Sequence, residues 1–131
     1  MSLWGRPVLD PEDADGVNEM IGAGVRYWAR GLTAEEWQAL ESLGGGDLHA
    51  VIAVGDGDPD DKRLIVWHDR HLSDMLQAVL DIAPGSVAAT YIHHGMAHRD
   101  VVSGFIDAGD IDAELGDVML QCWALGEITY G

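Results

Sequence analysis

The chain has 131 residues, with 23 Asp and Glu against seven Lys and Arg, giving a formal net charge of -16. Its length fits a single domain, 1–131, and a hydrophobic content of 47% with five Trp points to a packed core rather than a disordered chain. The charge excludes direct binding of nucleic acid and of anionic membranes, and it favours basic protein surfaces.

The first helix is marked at its start. Asp10 can cap it, Pro11 suits the first helical position, and Glu12 and Asp13 complement the positive end of the helix dipole. Val17, Met20, Ile21, Gly24 and Trp28 then recur at helical spacing, and Gly31 is the expected stop. Gly22 and Gly24 weaken this segment, which allows a break or a close packing contact. A second helix begins at Thr33, where Thr33 and Glu36 form a capping box and Leu32 and Trp37 stand at staple positions. It runs through Leu40 and Leu43 to Gly44-Gly45-Gly46.

Residues 48–54 are apolar on both faces and read as a central strand, with 63–68 as its antiparallel partner. Ser73 is the expected cap of a helix through Ala83, which Pro84 ends. Residues 87–93 and 101–106 read as a second hairpin. In the tail, Ile111, Leu115, Val118, Met119 and Cys122 recur at helical spacing, with a strand over 118–125 as the competing reading. The fold class expected is α+β: two N-terminal helices, then two β-hairpins each followed by a helix, forming an antiparallel sheet with helices mainly on one face.

The acids are unevenly spread. Asp10, Glu12, Asp13, Asp15 and Glu19 crowd the start. Asp56, Asp58, Asp60 and Asp61 crowd one loop. That loop alternates acids as a calcium loop does, but Asp61 stands where the sharp-turn glycine belongs and Trp67 where the bidentate Glu belongs, so it reads as a plain turn. After Arg99 come seven acids, Asp100, Asp107, Asp110, Asp112, Glu114, Asp117 and Glu127, with no Lys or Arg. Such a stretch cannot neutralise itself locally. Either it is a solvating coat, or its acids stand in for phosphates towards a basic partner. On the second reading Asp100, Asp107, Asp110, Asp112, Glu114 and Asp117 form the contact, with Trp4 and Trp67 as aromatic anchors.

Five of the six His fall in two groups, His68 with His71, and His93, His94 with His98. If two hairpins share a sheet edge, these imidazoles could converge on zinc or another transition metal, with Asp69 or Asp74 as ligand or base. No His-Glu-x-x-His, cysteine pair or Gly-x-Ser-x-Gly is present. Cys122 lies on an apolar stripe and reads as core. As the only cysteine, it also excludes an internal disulfide.

The function expected is therefore that of a non-catalytic acidic protein that binds and blocks a basic partner, in the manner of a toxin-immunity protein or a nucleic-acid mimic, with no cofactor. The alternatives are a small metal-dependent enzyme using His68, His71, His93, His94 or His98, and a structural subunit that forms homo-oligomers. No basic-then-apolar leader follows Met1, so a cytoplasmic location is expected.

Overall fold

The computed structural model describes residues 5–43, 48–54 and 63–130. Trp4, the Gly44-Gly45-Gly46 stop and the acidic loop Asp56–Asp61 lie outside the described residues. Among the described residues, five α-helices and a three-stranded antiparallel sheet make a mixed α+β architecture.

The chain enters through a 3-10 turn, Pro11–Asp13, capped by Asp10, whose carboxylate accepts the Glu12 N–H at 3.0 Å. Helix α1, Ala14–Gly24, follows and buries Ala14, Val17 and Ile21. It ends seven residues earlier than Gly31. Trp28 therefore lies beyond the helix, and Ala29–Arg30 forms a short strand, β1. Helix α2, Ala34–Ser42, has the full capping box: Thr33 Oγ1 accepts from Glu36 N–H, and Glu36 Oε1 accepts from Thr33 N–H. The Arg30 guanidinium, with the Thr33 backbone N–H, holds the Glu36 carboxyl down to about 2.

Strands β2, His49–Ala53, and β3, Arg63–Trp67, pair as the periodicity predicts, and β1 completes the order β1-β2-β3. Central β2 is buried on both faces. Val51 and Ala53 join Ile65 and Trp67 in the main core, while Ala50 and Ile52 are buried outside that cluster. This alternation follows from the two-residue period of a strand.

Helix α3, Leu72–Ile82, buries Leu72, Met75, Leu76 and Val79. Ser73 sits inside its first turn, not at its cap, and its hydroxyl accepts the Leu9 N–H at 3.0 Å.

The second hairpin does not form. Residues Val87–Ala97 are helix α4, capped by Ser86, whose Oγ accepts the Ala89 N–H at 3.1 Å. Ala88, Ala89, Ile92, Gly95 and Met96 are buried, a stripe with helical period. The β-formers Val87, Thr90 and Tyr91 face outwards, where propensity yields to the packing of the opposite face. Residues 101–103 are a turn, and Ile106 returns to the core by donating its N–H to Val8 O at 2.9 Å.

The tail is helical. Helix α5, Ala113–Leu120, runs into a π-helical turn, Gln121–Leu125, which ends at Gly126 with φ 73°. Helices α1 and α5 form the most extensive helix pair. Their backbones touch: a Cβ on Gly24 would lie 1.9 Å from Ala113 O, and one on Gly116 would lie 2.7 Å from Ile21 N. This is the close contact that the glycines in α1 allow.

Candidate partner-binding face

The acids of the last third have local duties as well as charge. Asp100 Oδ1 accepts the N–H groups of Val102 and Ser103 at 2.8 and 2.9 Å, and these bonds hold its carboxyl below the usual range. Asp107 Oδ1 accepts the Gly109 N–H at 2.9 Å, and Asp112 Oδ1 caps α5 through the Leu115 N–H at 2.9 Å. Asp110 Oδ2 lies 2.6 Å from His94 Nδ1. These four and Glu114 are exposed. A carboxylate that accepts a bond at one oxygen keeps lone pairs for a partner.

Asp117 points the other way. It is 9% exposed and accepts hydrogen bonds from Tyr27 Oη at 2.5 Å, Trp28 Nε1 at 2.6 Å and Gln121 Nε2 at 2.8 Å. Its place in the expected contact set is therefore corrected: its three donors come from inside the protein. Burial and the Asp117 carboxylate push the Tyr27 phenol up to about 12. Gln121 Oε1 accepts the N–H groups of Thr129 and Tyr130, and the Tyr130 ring stacks on Trp28 with centroids 4.9 Å apart.

Trp67 is likewise turned inward, 3% exposed, and offers no face to a partner. An exposed apolar pair, Val101 and Val102, 92% and 93% exposed, stands on the turn that Asp100 closes. This pair was hidden from the sequence by the strand reading of 101–106.

The acidic start of the chain and the acidic last third meet. A groove of about 400 Å³ opens between the beginning of α1 and the loop over 106–111. Asp13 and Asp107 line it, with Val17, Met20, Ile106 and Ile111.

Among the described residues the histidines do not assemble the metal site of the alternative reading. His68 and His71 are neighbours, with ring centroids 5.8 Å apart, and His71 packs on Trp123 at 5.0 Å. The His71 Nδ1 accepts the His68 N–H, and burial together with the charges of Arg70 and His68 lowers its pKa. His94 on α4 packs at 4.3 Å on His98, which caps the end of that helix, and His93 is exposed on the same helix. Among the described residues no three His, Cys, Asp or Glu side chains group as metal ligands. The convergence expected of two hairpins fails because one of them is a helix.

One polar cluster had no sequence signal. Asn18, His49, Trp67 and Asp69 meet where α1 passes the end of the sheet. Trp67 Nε1 donates to Asn18 Oδ1 at 2.9 Å, which turns the amide nitrogen towards Asp69 Oδ1, also at 2.9 Å. His49 Nε2 lies 2.7 Å from the same oxygen. Partial burial opposes ionisation of Asp69, but the bonds from Asn18 and His49 outweigh it and hold the carboxyl below its usual range. Asn18 and His49 are 31 positions apart and His49 and Asp69 are 20, so no spacing rule links them. No hydroxyl or thiol among the described residues is hydrogen-bonded to His49, whose partners are Asn18 and Asp69. Cys122 is buried, and burial raises its thiol pKa.

No protein family, no curated protein and no solved structure matches this chain.

Proposed function

We propose that the protein is a non-catalytic acidic binding protein that neutralises a basic partner, such as a nuclease or a nucleic-acid-binding toxin. The observation that carries this reading is the meeting of two acid-rich segments from distant parts of the chain on one groove, lined by Asp13 and Asp107. A solvating coat gains nothing from this juxtaposition, whereas a field that must face a cation at close range does. At physiological salt such a field reaches only about 8 Å, so the charges that matter are those that border the contact. Exposed Asp100, Asp110, Asp112 and Glu114 extend the negative surface along the chain on either side of Asp107.

The test is titration calorimetry against a panel of basic nucleases and nucleic-acid-binding proteins, from low to physiological salt. The expected result is a stoichiometric complex with at least one member. Its affinity should fall steeply with salt, and the bound enzyme should lose activity. Absence of any complex across the panel, or binding indifferent to salt, overturns the reading.

A further inference from the structure

We infer that the groove between the start of α1 and the loop over 106–111 is a socket for one arginine side chain of the partner. The inference rests on the proposed charge-led binding and names the group at its centre. The lining is of two kinds. Val17, Met20, Ile106 and Ile111 supply apolar surface, and Asp13 and Asp107 supply carboxylates. An arginine has the matching parts, a three-carbon stem that packs on apolar atoms and a planar fork of donors that pairs with a carboxylate through two hydrogen bonds. A lysine fills the apolar part equally but offers a single point charge.

The socket is open, and its Asp107 wall is anchored before anything enters. Gly16 borders it, and a Cβ there would meet nothing within 4 Å. The Asp13 carboxylate has no hydrogen-bond partner among the described residues. Asp107 gives Oδ1 to the Gly109 N–H, which leaves Oδ2 for a ligand. The Asp107 wall is held at both sides: Asp107 N–H donates to Gly95 O at 3.1 Å, and Ile106 N–H to Val8 O at 2.9 Å. The Asp107 wall, held this way, loses little entropy on binding. Its volume of about 400 Å³ is in the range of pockets that hold a side chain or a small ligand.

The experiment uses the full chain, labelled for NMR, with N-acetyl-arginine amide as probe and the lysine and citrulline analogues as comparators. Saturable shifts should centre on Gly16, Ile106 and Gly109, with arginine bound several-fold more tightly than lysine and citrulline bound negligibly. Two variants test the geometry. Asp13→Asn with Asp107→Asn should weaken the arginine probe about tenfold or more. It should still fold, because an asparagine oxygen at 107 can accept the Gly109 N–H. Gly16→Leu fills the groove at unchanged net charge and should abolish the shifts. Leucine is the better helix former at that position, so the fold should persist.

Shifts spread evenly over all acidic clusters overturn the socket, as does undiminished binding in either variant. A basic nuclease that binds the Gly16→Leu protein as well as the original also overturns the socket, yet leaves charge-led binding standing. Failure of the whole nuclease panel removes the broader reading independently.

Discussion

Among the acids that follow Arg99, Asp117 is the one turned inward, and its neighbours explain why. Three donors converge on it, from Tyr27, Trp28 and Gln121. Asp117→Leu would leave the buried Trp28 indole N–H without an acceptor and take from Gln121 Nε2 one of its acceptors, Tyr130 O remaining, and we expect a loss of about 2 kcal/mol in urea unfolding. Tyr27 adds a pH signature. Its phenol is raised from 10.0 to about 12 in the folded state, by burial first and by Asp117 second. Its contribution is therefore complete below about pH 10 and is lost as pH climbs towards 12. Thermal unfolding across that window should show a fall in Tm that Tyr27→Phe removes. Nothing in the sequence separates Asp117 from Asp112 or Glu114. All three carry the same charge in the same helical region, and only the partners brought by the first third of the chain distinguish them.

At the level of elements, the helix pair α1 and α5 is the most constrained contact. Gly24 and Gly116 let the two backbones meet with no side chain between them. Gly24→Ala places a methyl on a carbonyl oxygen, which only a backbone shift relieves. We expect a cost of about 3 kcal/mol, measured by chemical denaturation, although alanine is the better helix former. A neutral outcome would mean that α1 is free to move away. Signals written in local chemistry were legible in the sequence. The Asp10 cap, the Thr33–Glu36 box and the paired strands β2 and β3 stand where predicted, because each depends on residues close in the chain or on one simple period. Helix α4 was misread because Val87, Thr90, Tyr91 and Ile92 favour strands, while its burial stripe depends on what packs against it. The Ser86 cap after Pro84-Gly85 was the available clue.

For the whole molecule, the negative charge acts in two directions. It repels itself within the fold and attracts cations outside it. Added salt should therefore raise Tm of the protein alone while weakening its binding to a basic partner. A Tm that falls with salt would show that ion pairs such as Arg6–Asp74 and Arg30–Glu36 outweigh the net repulsion. The groove itself was not legible in sequence. Each acidic segment is visible alone, but their meeting follows from the return of the 106–111 loop past α1, a tertiary event with no local pattern.

The Gln121 side chain has a further consequence at the carboxyl end. Its Oε1 receives the backbone N–H groups of Thr129 and Tyr130, and Tyr130 lies on Trp28. Segments near a terminus ordinarily fray and exchange their amide protons first. Here those two protons are bolted to a fully buried residue, so their deuterium uptake should be as slow as that of the interior and should report opening of the core around Gln121.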